Sequence, residues 1–529
     1  MDFTSKVPKN TFPTTLKAQL NQLKTDELML RFDISRQALS LDPYRPIYHY
    51  VNPEGNLNDP NGLCFWNGLY HLFYQAYPPE DPRQHWGHAI SEDLVHWKDL
   101  PLAIYPNPEE KCFSGTTLVE KDRVIAMYHG IGQGNMIAIS KDPLLLNWDK
   151  LSCNPVIPNP AQDKTEMDTD KNSLQYRVYD PCIWKDNNIY YSLSGSYSSG
   201  TMFDDCKMTQ FLFSSKDLNH WKYLGEFIEG NIFTLPGEDG AVPYFLPIAD
   251  KHILLFASHK HGSQYLLGNL DRENYKFKPF THGRFNFGKM THGGVHAPSA
   301  TSDTDGTVLL IHNINEGRPT KNWNHIMSLV RRISIDPQNK LQIAPVKEIE
   351  SIRSNHKQIH QSPLPANQDI LLENIEGNSL ELIAVIDPKD AREICINVLR
   401  SPNSDEYTSV KFLKRGYNLV SHWLKENKST GTAHQDALII DTSRSSLLPD
   451  ILARTPEIAP FELKDGEKLT LRIFIDKSVI EVFANDRQCL AVRVYPKCED
   501  SVYVSIRASG NNAILQSLNS WSMGNIWAR

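Results

Sequence analysis

The chain has 529 residues, 40% hydrophobic and 22% charged, an ordinary globular composition long enough for two or more cores. Its net charge of -7, with no long basic block, argues against a nucleic-acid backbone as partner. No stretch is apolar for long enough to span a bilayer, and the opening MDFTSKVPKNTFPTTLKAQL lacks the apolar core of a signal peptide, so a cytoplasmic protein is expected.

Leu16, Leu20 and Leu23 recur at helical spacing, and Leu28, Phe32 and Leu39 follow before LDPYRP breaks the pattern. A short helical extension is therefore predicted over 1–44. From Tyr48 onward, short apolar or alternating runs punctuated by Gly, Pro, Asn and Asp read as strands and turns. Three of them share a pattern. WGHAISEDLVHW, MIAISKDPLLLNW and FLFSSKDLNHW each run through a strand to Ser-x-Asp and close on a tryptophan, with the serines at 91, 140 and 215. Repeated strand-turn-Trp units favour a β-propeller with loop insertions over 45–352 rather than three coincidental hairpins. Polarity rises over 353–369, which reads as a linker. Beyond it, LTLRIFIDKSVIEVFANDRQCLAVRVYP alternates and then turns at Asn485-Asp486, predicting a β-sandwich over 370–529. The expected fold class is all-β: propeller, then sandwich. The eight cysteines are scattered without Cys-x-x-Cys spacing, so buried thiols are expected rather than a disulfide framework or a metal site.

Carboxylates occupy matching settings in the propeller half: Asp59 in LNDPNG, Asp180 in VYDPCIW, and Glu238 with Asp239 in LPGEDGAVPYF. Each precedes a proline by one to five residues and leads into a strand with aromatic content. The first strand of a propeller blade lines the central channel, so acids at the starts of several such strands converge on one mouth. Two converging carboxylates, one ionised and one protonated, are the equipment of glycoside hydrolysis. Trp66, Tyr74, Trp86, Phe113, Trp184 and Tyr244 could offer apolar faces to sugar rings. For any one of these sites, an Asp-Pro turn beside core aromatics is the competing explanation.

The motifs DPYRPIYHY, NLNDPNG, YHLFYQ, HWGHAISEDLVHW, CFSGTTLV, YDPCIW and IDKSVIEVF, in that order, resemble those of glycoside hydrolase family 32, the invertases, fructanases and related β-fructofuranosidases. The resemblance covers about 45–529 and implies a five-bladed propeller plus sandwich. It implies Asp59 as the nucleophile at the anomeric carbon of a fructosyl unit, oriented by Asn58. It places Gln75, Trp86, Phe113 and Ser114 in the wall of the fructosyl pocket, and makes Asp180 the acid that grips ring hydroxyls and stabilises the transition state.

Two departures stand out. Tyr179 replaces the arginine of the family's Arg-Asp-Pro, with Arg177 two residues earlier on what alternation makes the same face. The family's acid/base lies in Glu-Cys-Pro, whereas alignment on Pro243 puts Ala241 at the glutamate. Glu238 is expected to take the role, its longer side chain and higher reference pKa favouring it over Asp239, which is expected to bind substrate. His292 and His296 are read as pocket or core residues. The expected function is retaining hydrolysis of terminal β-fructofuranosyl residues of sucrose or short fructo-oligosaccharides, without cofactor or metal. A fructosyltransferase or a catalytically inactive fructan-binding propeller are the alternatives. The expected partner is a small sugar, without nucleic acid or membrane; self-association through the sandwich or the N-terminal extension is left open.

Overall fold

The computed structural model describes residues 3–159, 176–197, 200, 204–230, 234–417 and 435–527. Five consecutive antiparallel sheets span 56–104, 112–158, 181–226, 241–284 and 295–345, each ordered from its first strand outward. Their first strands are Asn56–Trp66, Cys112–Val119, Pro181–Asp186, Ala241–Ile248 and Val295–Ser302. Successive first strands pack together, and the fifth returns to the first, so the sheets close into a five-bladed ring. Covered by neighbours on both faces, Asn56–Trp66 is buried along most of its length, whereas the outermost strand Lys222–Glu226 is only half-buried and alternates. Each innermost strand is also a sheet edge, where a missing N–H costs no ladder bond. That is why Pro60, Pro181, Pro243 and Pro298 are tolerated there.

The repeated Ser-x-Asp units form the hairpins between third and fourth strands in blades one to three. The Asp93 carboxylate accepts the amides of Val95 and His96, Asp142 those of Leu144, Leu146 and Asn147, and Asp217 those of Asn219 and His220. Leu94, Leu145 and Leu218 have φ of 66°, 53° and 69° at equivalent places. The side-chain caps hold leucine in a backbone region it disfavours. The repeat is thus turn chemistry.

Helices α1 (Leu16–Leu23) and α2 (Glu27–Leu39) occupy the predicted extension, Asp26 capping α2 through the amides of Leu28 and Met29. They fasten to the propeller through Gln19 on Asp142 and Arg36 on Asp99, with Trp527 from the C-terminus stacked on the Arg36 guanidinium.

The C-terminal part is a sandwich of a seven-stranded and a six-stranded sheet. Leu382, Ile473 and Val482 of one sheet meet Ile396, Val410 and Ile506 of the other in its core. The segment 353–369, expected as a linker, instead contributes strands Arg353–Ile359 and Ser362–Leu364, which pair with Ala513–Met523. Its polar residues are legitimate in an edge strand, where one face and one hydrogen-bonding side meet water.

The motif IDKSVIEVF joins the domains. Asp476 accepts the amides of Ile47, Tyr48 and His49. Glu481 accepts the amide of Leu329 and pairs with Arg331 at 2.8 Å, both side chains fully buried. His49 bridges the two acids; burial would lower its pKa, but Asp476 and Glu481 more than compensate, so it stays protonated above its ordinary value. Glu481→Ala would leave Arg331 charged and unpaired in the interface. A stability loss of about 3–5 kcal/mol is expected, read as an earlier thermal melt; an unchanged melt would show the cluster to be energetically neutral.

Candidate active site

One end of the ring opens into a cavity of about 330 Å³, within the size range of small-ligand sites. The innermost strands reach it through irregularities. Register shifts interrupt their pairing between Leu57 and Pro60, Cys112 and Gly115, Ala241 and Tyr244, and Val295 and Pro298. Each shift sets two residues against one on the partner strand, and the one extra residue bends the strand and re-aims side chains toward the mouth. Asn58-Asp59, Phe113-Ser114, Val242-Pro243 and His296-Ala297 occupy these places. In blade three Asp180 stands immediately before the first strand, its carbonyl accepting the Gly195 amide at 3.1 Å. Gly195 must be glycine, because a Cβ there would lie 2.4 Å from the Gly240 carbonyl oxygen.

Asp59 is buried on the cavity wall. Its Oδ2 accepts the Ser114 hydroxyl at 2.6 Å and Gln75 Nε2 at 3.2 Å. Gln75 also donates to Ser114 Oγ at 2.7 Å, so the two donors brace each other. Among the described residues Oδ1 accepts no hydrogen bond, and it lies 3.5 Å from His296 Nδ1. Burial holds His296 below its ordinary pKa despite the charge of Asp59, so the imidazole is neutral. One carboxylate oxygen is therefore clamped, and the other, buried beside His296, accepts no hydrogen bond among the described residues. That is the arrangement of a positioned nucleophile.

Asp180 lines the same cavity. Burial, then the nearby charge of Asp59, pushes its pKa up to about 7, against the pull of His259 and the Val242 amide. Asp239 holds His259 with both oxygens: Oδ1 accepts the His259 amide at 2.9 Å, and Oδ2 lies 2.8 Å from Nδ1. Burial would depress His259, but the bond to Asp239, with the charges of Asp239, Asp59 and Asp180, raises it to about 9. At neutral pH the wall thus carries an imidazolium fixed by a carboxylate.

The structure sets Glu238, expected as acid/base, apart from the cavity. Its side chain is fully buried outside the cavity lining. Oε1 accepts Gln264 Nε2 at 2.8 Å and Arg284 Nη2 at 3.2 Å and lies 2.6 Å from His261 Nδ1, while Oε2 accepts the Leu235 amide at 3.0 Å. Burial alone would raise its pKa, but these partners reverse the effect and hold it below the ordinary value. A carboxylate kept ionised inside such a cluster cannot lend a proton. Glu238→Gln is expected to lower stability by roughly 1–3 kcal/mol through Arg284 and His261, and to change sucrose turnover less than about 10-fold. A 100-fold loss relieved by a substrate whose leaving group needs no proton would restore the catalytic assignment.

Of the other residues singled out from sequence, Asn58, Gln75, Phe113 and Asp239 line the cavity. Asn58 is oriented by Asn313, which donates to its Oδ1 at 3.0 Å. Trp86 does not form part of the wall: it is fully buried, and its Nε1 donates to the Phe113 carbonyl. Ser114 stands behind Asp59, equally buried. Arg177 also lies off the wall, its guanidinium 4.4 Å from the ring centre of Tyr197, which does line it. Trp66, Tyr74 and Tyr244 are core, and Trp184 packs on Tyr191 and Phe245. Tyr179, Tyr197 and His259 are lining residues that sequence reasoning passed over as such. Tyr197 ends the second strand of its blade and His259 follows the corresponding strand, as Gln75 nears the end of its own. Antiparallel pairing brings the ends of second strands beside the starts of first strands, which is the signal that could have located them.

A family model for the N-terminal domain of the glycosyl hydrolases family 32 matches residues 49–345, and the model for that family's C-terminal domain matches 348–522. Levanase of Bacillus subtilis (strain 168) is 26% identical over 92% of this chain and 71% of its own. Sucrose-6-phosphate hydrolase of Escherichia coli is 26% identical over 91% of this chain and 95% of its own. Among solved structures, fructan 1-exohydrolase IIa from Cichorium intybus superposes with a TM-score of 0.76 at 22% identity, covering 92% of this chain and 98% of that one.

Proposed function

From the premise that the chain belongs to glycosyl hydrolases family 32 and is a glycoside hydrolase acting on fructosides, we propose that it hydrolyses terminal β-fructofuranosyl residues with retention of configuration. The observation that carries this reading is Asp59, on the wall of the cavity that Asp180 also lines, with Oδ2 clamped by Ser114 and Gln75 and Oδ1 accepting no hydrogen bond among the described residues. Oδ1 attacks the anomeric carbon, the glycosidic bond breaks, and water releases fructose from the ester in a second step. Asp180 in its ionised form accepts hydrogen bonds from ring hydroxyls, which strengthen as positive charge develops on the ring. Phe113, Tyr179 and Tyr197 supply apolar faces to the sugars.

Among the described residues, the lining sets the three carboxylates Asp59, Asp180 and Asp239 against one imidazolium. That balance disfavours a phosphate and supports a neutral fructoside, with sucrose the simplest. Incubation with sucrose and separate assay of the two monosaccharides tests the proposal. Equal release of glucose and fructose is expected. Glucose in excess would mean that a sugar rather than water accepts the fructosyl group. Turnover of sucrose 6-phosphate alone would overturn the choice of a neutral substrate.

A further inference from the structure

Among the described residues, the stretch equivalent to the family's acid/base motif offers the fructosidase reading no proton donor. The residue aligned with the family's glutamate is Ala241, on the cavity wall, and a methyl group carries no proton. Glu238 is locked into its own cluster outside the wall. Asp239 reaches the wall, but both its oxygens accept from His259, so neither presents a proton to a ligand. The leaving oxygen of an alkyl glycoside is too basic to depart unprotonated at a useful rate, so some group must supply the proton.

We propose that the proton donor, and the base that later activates water, is the imidazole of His259, held and oriented by Asp239. This rests on the fructosidase reading above. His259 lies just past the second strand of blade four, half-exposed on the cavity wall. Its ring centre is 5.6 Å from that of His296, which in turn touches Asp59 Oδ1, so it stands one ring away from the attacking oxygen. Asp239 engages Nδ1, which makes Nε2 the exchanging nitrogen. Among the described residues, the groups acting on the ring include Asp239 from the preceding loop, Asp59 from blade one, Asp180 from blade three and neutral His296 from blade five. Lys260, next in sequence, turns away to the Pro236 carbonyl. Three carboxylates around one imidazole keep it charged at neutral pH, as a general acid requires.

The proton balance closes. Asp59 Oδ1 forms a bond to the anomeric carbon as the glycosidic bond breaks. The bonding pair goes to the leaving oxygen, which takes the proton from Nε2. Neutral His259 then removes a proton from the water that attacks the same carbon, and Asp59 leaves as carboxylate. One water enters, fructose and an alcohol leave, and His259 returns protonated.

Two substrates and two variants test this. With sucrose, His259→Gln is expected to lose roughly 10²–10⁴-fold in kcat/KM, whereas p-nitrophenyl β-fructofuranoside, whose leaving group needs no proton, should lose less than about 10-fold. The wild-type kcat/KM for sucrose should fall on the alkaline side with an apparent pKa near 9. Asp239→Asn, which removes the carboxylate that raises His259, should move that limb down by about one unit or more. Turnover of the aryl fructoside also reports that each variant is folded. Equal losses on both substrates, or an alkaline limb unmoved in Asp239→Asn, would overturn the assignment. A fall in activity with rising pH, centred near 7 and lost in Asp180→Asn, would transfer the acid to Asp180. If wild type turns over the aryl fructoside in an Asp59-dependent way but His259→Gln shows no selectivity, only the proton donor is wrong. If it turns over neither substrate, the fructosidase reading falls and this proposal with it.

Discussion

Asp59→Ala is expected to cut kcat on the best fructoside by roughly 10⁴-fold or more, by analogy with other covalent enzymes. The fold should survive, because the donors that clamp Oδ2 already hydrogen-bond each other: Gln75 Nε2 to Ser114 Oγ at 2.7 Å. Only one oxygen of Asp59 is tied down among the described residues, so the substitution removes a carboxylate from the cavity wall and leaves its support standing. A second readout follows from electrostatics. Asp59 raises Asp180 and helps to raise His259; losing its charge should lower both pKa values, measurable by carbon and nitrogen NMR on labelled protein. Added azide should restore turnover by entering the vacated face and should give an inverted fructosyl azide. A variant that keeps more than about a tenth of the wild-type rate would show that some other group forms the bond to carbon.

Asp180→Asn should lower kcat by about 10²–10³-fold while raising KM far less, because an ionised carboxylate facing ring hydroxyls contributes most once charge develops. A pure KM effect would make it a ground-state binding residue. Its pKa near 7 adds a pH signature. Wild-type activity should rise through pH 7 as Asp180 ionises, and that limb should be absent from the asparagine variant. Stability should respond in the opposite sense. The folded pKa lies above the unfolded one, so between about pH 4 and 7 the native state binds a proton that the unfolded state has released. Stability therefore falls as pH rises through that window, and above 7 the buried charge acts in full. At pH 8 the variant should melt about 1–2 °C above wild type, and at pH 4 the two should coincide. Equal melting temperatures at pH 8 would show that Asp180 is already stabilised as an anion by a partner.

The acid/base assignment shows where sequence reasoning ran out. Glu238 and Asp239 are adjacent, in a loop before a bulged strand, and both satisfy the chemistry on paper. Length and reference pKa favour Glu238. The decision lies with the third and fourth strands of the same blade and the turn before them: His261, Gln264 and Arg284 hold Glu238 inward, and His259 takes Asp239. No spacing rule reports which face of a loop such partners will claim. Trp86 misled in a similar way, since its motif marks the wall of the pocket while its side chain is packed behind it. The segment 353–369 was too polar to read as strand because its sheet partner, Ala513–Met523, lies some 150 residues downstream.

What the sequence determined by itself follows from local chemistry. Hydrophobic alternation made the chain all-β, the Ser-x-Asp turns marked successive blades, and Asp-Pro at the starts of inner strands put Asp59 and Asp180 at one mouth. These features need only the chain's immediate neighbours, because turn capping, strand period and the missing proline N–H act over a few residues. The tertiary structure alone decided which carboxylate is ionised, which aromatic faces the cavity and which group can hold a proton there. Those depend on burial and on charges delivered by other blades: Asp180 is raised by Asp59 from two blades away, and His259 by carboxylates from three places in the chain. Ring closure creates that neighbourhood, and sequence distance does not encode it.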